Sequence, residues 1–337
     1  MAITEMNEAN TLIDNFNRHI NYVRISVTDR CDFRCVYCMS EKMKFVPRAQ
    51  LLTLEEITTI ADVFTQLGVK KIRITGGEPL VRQNIITLFE NLGNLSELEE
   101  LTTTTNGSQL IKLAEPLKKA GVSRINISLD SLNTKRFENI TRTGKLDNVL
   151  KGIDKAISVG FKKLKINSVI LKNRNHDEII DLVCFAIKKN MDISFIEEMP
   201  LGIIDDHDRN ELYYSSDQIK NDIQNEFELI SSMKSTGGPS KYFQITGTNT
   251  KVGFISPHSH NFCDECNRVR LTAEGRLLLC LGQENSVDLR KIIRSFPGNN
   301  DKLKESIRNS MQIKPKGHDF NIQEKPVIFR HMNVTGG

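Results

Sequence analysis

No stretch of this chain is long and apolar enough to cross a membrane as a helix. The segment Met1 to Arg18 is polar and mixed in charge, with no secretory h-region, so a cytoplasmic protein is expected. A concentrated basic stripe is missing too. The formal net charge of +4 is too mild to argue for nucleic acid as a partner. There is no G-x4-G-K-S/T loop, so any nucleotide bound here is held another way. No internal repeat and no low-complexity tract occurs. What is present in quantity is ordinary: 39% hydrophobic and 26% charged residues describe a soluble globular protein. At 337 residues the chain makes one large domain or two moderate ones. Cysteine is the exception. Six of the seven fall in two groups, Cys31, Cys35 and Cys38, then Cys263, Cys266 and Cys280, with Cys184 alone. In a cytoplasmic chain such groups suit metal better than disulfides.

After a tail over residues 1–20, strand-like runs alternate with helical patterns. The strands are expected at Tyr22–Val27, Lys71–Thr75, Glu100–Thr104, Arg124–Leu129, Leu164–Ile170 and Ile193–Glu197. Between them, Thr53-Leu54-Glu55-Glu56 reads as a capping box ahead of an apolar face from Leu54 to Leu67, ended by Gly68. Ile179, Ile180, Val183 and Ile187 form a later helical face. It would take Cys184 into the core. Six strand–helix alternations make a parallel α/β sheet with right-handed crossovers. Doubly covered parallel strands read as continuous apolar runs, but these alternate. Val23, Ile25 and Val27 oppose Arg24 and Ser26, and Ile72 and Ile74 oppose Lys71, Arg73 and Thr75. If the apolar faces take the helices, the polar faces line a wet interior holding Arg24, Lys71, Arg73 and Lys165. So many inward cations need anionic company. A soft boundary near Leu201 separates residues 21–200 from a C-terminal module over 201–337.

The spacing C-x3-C-x2-C puts three thiolates on a loop directly after the first strand. Three ligands are one short of what a four-iron cubane takes, which leaves one iron open. A zinc knuckle completed by a distant residue is the alternative. The second set, C-x2-C-x13-C, repeats the choice, with His258 or His260 as the fourth zinc ligand. Between its cysteines, Arg268 and Arg270 share one face of a strand.

The first cysteine run, with Tyr37 before its last member, resembles the signature of the radical S-adenosylmethionine (SAM) superfamily. Gly76-Gly77-Glu78-Pro79 resembles that superfamily's "GGEP" motif. More narrowly, the chain resembles the GTP 3′,8-cyclase family of molybdenum-cofactor biosynthesis. The resemblance runs through "KIRITGGEPL" at Lys71–Leu80, "TTTNG" at Thr103–Gly107, "INISLDSL" at Ile125–Leu132, "LKIN" at Leu164–Asn167, "CDECNRVRLTAEGRLLLCL" at Cys263–Leu281, and the final Gly336-Gly337. Ser40 and Thr335 depart from the family pattern, and neither is at a ligand position.

The resemblance implies a partial barrel of six β/α units whose mouth is closed by the C-terminal module. It implies two 4Fe–4S clusters, on Cys31, Cys35 and Cys38 and on Cys263, Cys266 and Cys280. SAM would be contacted by Tyr37, Gly76, Gly77, Glu78, Ser128 and Met199. GTP would be bound by Arg24, Lys71, Arg73, Thr104, Lys165, Arg268 and Arg270, with its guanine on the second cluster. Arg268, Arg270, Gly336 and Gly337 are the implied catalytic residues, the tail entering the site. An external electron donor and a following enzyme, cyclic pyranopterin monophosphate synthase, are the implied partners. The oligomeric state stays open, a homodimer included. Two rival readings are a radical SAM enzyme acting on a peptide or RNA, and a non-catalytic electron carrier with two clusters.

Overall fold

The structure is a computed structural model that describes residues 11–232, 237–322 and 328–336. Gly337 and residues 1–10 of the expected tail lie outside the described residues.

Six parallel strands run in sequence order across the sheet: β1 (Tyr22–Ser26), β2 (Lys71–Thr75), β3 (Glu100–Thr105), β4 (Arg124–Ser128), β5 (Leu164–Val169) and β6 (Asp192–Ile196). Each ends within one residue of its expected position. The crossover helices are α1 (Leu54–Gln66), α2 (Ile85–Gly93), α3 (Leu110–Lys119), α4 (Thr134–Thr141), α5 (Leu146–Ser158) and α6 (Ile179–Lys188). The Thr53 hydroxyl accepts from Glu56 N, and Glu56 accepts from Thr53 N, so the capping box forms on α1. Gly68 then leaves the helix at a φ of 87°, a conformation glycine adopts at no steric cost.

Alternation along the strands has the expected result. Val23, Ile25, Ile72, Ile74, Ile125 and Ile127 are completely buried against the helices. The opposite faces are buried as well, for Ser26, Thr75, Thr102 and Ser194 are 1% exposed or less. The polar faces therefore look into an interior and not into solvent at a sheet edge. This is the expected partial barrel of six β/α units.

The C-terminal segment adds β7 (Leu229–Ser231), β8 (Lys241–Ile245), β9 (Lys251–Ile255), β10 (Arg268–Leu271), β11 (Arg276–Leu278) and β12 (Ser286–Asp288). It also adds α7 (Ser216–Gln224), α8 (Leu289–Ser295), α9 (Asn300–Ser310) and α10 (Met332–Thr335). Its strands continue the same sheet at both edges. β10 pairs in parallel with β1, placing Arg270 beside Arg24, and β9 pairs in parallel with β6. Residues 11–20 are not a loose tail. Leu12 and Ile20 are buried, and Arg18 joins Asp14 at 2.7 Å while donating to the carbonyls of Cys263, Pro315 and Lys316.

Cys184 needs a correction. The stripe that α6 buries is Ile179, Leu182, Val183 and Ala186, and Cys184 is exposed. Ile180 and Ile187 mark only the margin of that stripe, so a face drawn through them points the sulfur outward. Cys184→Ser is expected to leave iron content unchanged and unfolding free energy within about 0.5 kcal/mol, as for an ordinary surface change. A lowered iron count or a larger loss in thermal melts would contradict this.

Candidate active site

The loop carrying Cys31, Cys35 and Cys38 leaves the carboxyl end of β1 and is clamped onto α4. Arg34 N donates to Thr141 O at 2.9 Å, and Val36 N to Ile140 O at 3.0 Å. Gly76 and Gly77, at the end of β2, lie flat against the approach to this loop. Gly77 N donates to Thr28 O at 2.7 Å and Glu78 N to Arg30 O at 2.8 Å. A Cβ on Gly76 would sit 2.6 Å from Thr28 O, and one on Gly77 2.4 Å from Arg30 O. Neither glycine has a positive φ. Their requirement is close backbone approach and not the turn freedom a double glycine suggests.

Glu78 is completely buried. Its carboxylate accepts from Thr105 Oγ1 at 2.8 Å, Asn106 N at 2.6 Å and Leu80 N at 3.0 Å. Burial outweighs these donors and pushes its pKa up to about 8. Among the described residues Glu78 has no ion-pair partner. A carboxyl whose folded pKa is raised binds its proton more tightly folded than unfolded. Its stabilising contribution is thus complete below the ordinary value near 4.5 and is lost as pH rises through about 8. The cofactor-free protein should lose thermal stability over that window, and Glu78→Gln should flatten the slope. Equal slopes in the two proteins would refute the assignment.

Asn106 links Glu78 to the cysteine loop, its Nδ2 lying 3.7 Å from Cys31 Sγ and 2.7 Å from Asp32 Oδ1. Asp130 accepts from Tyr37 OH at 2.7 Å and from Val169 N at 2.8 Å, and burial raises it to about 6. Neither Asn106 nor Asp130 was singled out from the sequence. Their signal was there, inside "TTTNG" and "INISLDSL", where only Thr104 and Ser128 drew attention.

The first three thiols are free and line one cavity. Burial raises Cys38 to about 12 and pushes Cys31 and Cys35 up, with Glu78 and Asp130 adding to the effect. Such a trio becomes thiolate only beside strong positive charge, as a bound cluster provides. The donor set therefore fits a 4Fe–4S cluster with three protein ligands. Zinc fits poorly. Bonds of about 2.3 Å would hold its sulfurs within about 4 Å of one another. Among the described residues no three His, Cys, Asp or Glu side chains close on a single ion in that way.

Cys263, Cys266 and Cys280 line the same cavity. Burial pushes Cys263 and Cys280 up. At Cys266 burial is overcome by Arg268 and Lys314, which hold the thiol below its ordinary value. Lys314, only 3% exposed, places Nζ 3.9 Å from Cys266 Sγ and donates to Leu279 O at 2.6 Å and Arg268 O at 3.2 Å. The two histidines considered as zinc ligands are engaged elsewhere. His258 Nε2 is 2.8 Å from Glu198 O, and His260 Nε2 is 2.9 Å from Asp217 Oδ1.

Arg24, Tyr37, Gly76, Gly77, Glu78, Thr104, Ser128, Met199, Arg268 and Arg270 line this cavity with the six cysteines. Lys71 and Lys165 do not, and line a neighbouring cavity at the amino ends of the strands. Arg73 lines neither cavity, and donates from Nη1 to Thr104 Oγ1 at 3.2 Å. Lys71 already has an anion, Glu100, at 2.6 Å. Lys165 donates to Ser194 Oγ and Tyr242 OH, both at 3.2 Å. Tyr22 is a further residue of this layer, and no motif marks it. Its ring packs 5.7 Å from the Arg24 guanidinium, 5.1 Å from Lys71 Nζ and 5.8 Å from the Arg73 guanidinium. Burial works to raise its hydroxyl, but these charges prevail and bring it to about 7.

The C-terminal tail reaches inside. Asn333 Nδ2 donates to Asp29 O at 2.8 Å, and Arg270 Nη1 donates to Gly336 O at 2.7 Å. Gly336 has a φ of 71°, and a Cβ there would meet Thr75 Oγ1 at 2.0 Å.

Residues 25–186 match the radical SAM superfamily, and residues 191–320 match the family described as Molybdenum Cofactor Synthesis C. A GTP 3′,8-cyclase of Saccharophagus degradans is 57% identical over 327 residues, 97% of this chain and 99% of that protein. A GTP 3′,8-cyclase of Ectopseudomonas mendocina is 54% identical over 328 residues, again 97% of this chain and 99% of that protein. Among solved structures, Streptococcus suis SuiB bound to S-adenosylmethionine superposes with a TM-score of 0.64. That match covers 98% of this chain and 80% of SuiB at 16% identity, a likeness of fold alone.

Proposed function

The chain belongs to the GTP 3′,8-cyclase family of radical SAM enzymes, and from that premise we propose how its residues divide the work. The enzyme converts GTP to (8S)-3′,8-cyclo-7,8-dihydroguanosine 5′-triphosphate, the first step of molybdenum-cofactor biosynthesis. Cys31, Cys35 and Cys38 would hold a 4Fe–4S cluster, which with SAM bound would supply radical chemistry at C3′ of GTP. Cys263, Cys266 and Cys280 would hold a second such cluster, a reading supported by three further free thiols lining the same cavity.

Glu78 receives the SAM amino group. A buried carboxyl with no cation beside it is stabilised as its anion by an incoming ammonium. Gly76 and Gly77 keep the chain low enough for SAM to approach, while Tyr37, Ser128 and Met199 contact its other parts. Arg24, Arg73, Thr104, Arg268 and Arg270 bind GTP, together with Lys71 and Lys165 below them. Arginine forks suit phosphate oxygens, and the buried Nε atoms of Arg24 and Arg73 have no acceptor among the described residues. Gly336 brings the tail against Arg270 and sets the guanidinium's direction, while the catalytic role expected of Gly337 falls on a residue outside the described ones. An external donor supplies electrons, and the product passes to cyclic pyranopterin monophosphate synthase. The cytoplasm is the proposed compartment, in keeping with the finding that no helix among the described residues could cross a membrane.

The observation that carries this reading is that both cysteine triads, the GGEP segment and the arginines share one cavity. The test is anaerobic turnover of the iron–sulfide-reconstituted protein with SAM and dithionite, comparing GTP, ATP and no nucleotide. A cyclised product from GTP alone supports the assignment. 5′-Deoxyadenosine without a GTP-derived product would refute the substrate, and no 5′-deoxyadenosine would refute the radical chemistry.

A further inference from the structure

The two cysteine triads share a cavity but not an electrostatic surrounding. Carboxylates bear on the first: Glu78 and Asp32 act on Cys31, and Asp130 acts on Cys35 and Cys38. Cations bear on the second: Arg18, Arg268 and Lys314 act on Cys266, Arg18 on Cys263, and Lys314 on Cys280. Two of these cations have other work. Arg18 is committed to Asp14 at 2.7 Å, and Arg268 belongs to the proposed GTP site. Lys314 is the one without another task.

Lys314 is buried, and among the described residues no carboxylate lies within ion-pairing distance of it. An ammonium has three N–H donors. Two go to Leu279 O at 2.6 Å and Arg268 O at 3.2 Å, and Cys266 Sγ lies 3.9 Å from the same nitrogen. Burying a cation without an anion is costly. Of its three neighbours only the sulfur can carry negative charge. The chain also fixes this lysine in place. Arg18 donates to Pro315 O at 2.7 Å and Lys316 O at 2.6 Å, directly after Lys314, and to Cys263 O at 2.7 Å. The N-terminal segment, the lysine and the triad are thereby tied into one unit.

We propose that Lys314 is the charge-compensating residue of the second triad, which raises the reduction potential of the cluster held there and helps to retain it. The proposal rests on the reading of Cys263, Cys266 and Cys280 as ligands of a second 4Fe–4S cluster. Net charge and hydrogen bonds to sulfur set the potential of such clusters, and the outer partners of a metal site matter nearly as much as its ligands. Lysine beside one triad and carboxylates beside the other would hold the two clusters apart in potential, the second being the easier to reduce.

The second cluster is read alone in the full-length chain with Cys31, Cys35 and Cys38 all changed to Ala. That protein is reconstituted with iron and sulfide and titrated anaerobically with dithionite and redox mediators, the reduced cluster being followed by electron paramagnetic resonance. Lys314→Gln keeps donors for the two carbonyls and removes the charge. At the potential where the lysine protein is half reduced, its ratio of reduced to oxidised cluster should be about tenfold lower, a shift of about 59 mV for one electron. Lys314→Arg, which keeps the charge, should stay close to the lysine protein. The first cluster, read in the converse chain with Cys263, Cys266 and Cys280 changed to Ala, should titrate alike with Lys314 and with Gln. A Gln variant that holds no iron at the second triad, while its cofactor-free form melts as the lysine protein does, also supports the proposal. An unmoved potential with iron retained would overturn it. So would equal movement of both clusters, or a loss of iron that accompanies a lowered melting temperature of the cofactor-free protein. If the chain lacking Cys31, Cys35 and Cys38 binds no iron with Lys314 in place, the reading of a second cluster falls and takes the proposal with it. That failure shows before any lysine variant is made.

Discussion

Removing Gly336 and Gly337 should abolish GTP cyclisation, by at least about 100-fold, while iron and sulfide contents stay at the full-length values. The magnitude follows from what misdirecting a substrate-positioning group by about 1 Å costs. The Arg270 guanidinium is buried beside Arg24 and Arg268, and these like charges and burial both press against its ionised form. The Gly336 carbonyl is its acceptor at 2.7 Å. Without it, Arg270 turns to another partner and no longer meets the substrate in a fixed direction. The cysteines are supported through α4, through Arg18 and Lys314, and through Asn333, which the truncation keeps, so cluster content does not depend on Gly336 and Gly337. Gly336→Ala is the finer probe. Its φ of 71° disfavours a side chain, and the Thr75 hydroxyl occupies the space the methyl would need. Product is measured by chromatography after anaerobic turnover. Undiminished product from the truncated protein would show that the tail is only a packed end.

The second large effect separates the two triads. Cys31→Ala should eliminate 5′-deoxyadenosine altogether. Cys266→Ala should leave SAM cleavage detectable while cutting the cyclised product by on the order of 100-fold or more, since even outer partners of a metal site cost 10–100-fold. The ratio of 5′-deoxyadenosine to cyclised nucleotide is the readout. If Cys266→Ala turned over with a normal ratio, Cys263, Cys266 and Cys280 would have no part in placing GTP. If it lost 5′-deoxyadenosine as completely as Cys31→Ala, the two triads would not be separable in function.

Much of this site could be read from periods and spacings. The alternation of Arg24, Lys71 and Arg73 with Val23, Ile72 and Ile74 announced an interior with a polar lining, and C-x3-C-x2-C announced the first triad. What escaped depended on contacts between distant segments. Tyr22 reads as one more apolar residue at a strand start until three cations from β1 and β2 surround its ring. Glu78 was recognised from its motif, but its burial under Thr105 and Asn106 came only with the fold. The double glycine stands out by its motif, but that the missing Cβ is what counts there depends on Thr28 and Arg30, which only the fold brings against it. Cys184 went astray because two apolar stripes can be drawn on α6, and only packing decides between them. Lys71 and Lys165 sit on the expected face but one layer below the catalytic cavity, a depth that alternation alone does not encode.

The edge of β1 is completed late. Its neighbour β10 lies so far along the chain that the Asn21–Asn267 side-chain bond at its start spans 246 residues. At translation rates of about 5–20 residues per second, β1 waits roughly 12 to 50 s on the ribosome with one row of backbone donors and acceptors unpaired. An open edge of that kind recruits other strands, and contacts of such long range form slowly. The nascent protein is thus most prone to aggregation after its barrel strands have emerged and before β10 arrives. C-terminal truncations that remove β10 should accumulate as inclusion bodies and not as a soluble barrel with one cluster, which makes the last fifth of the chain a requirement for folding as well as for chemistry.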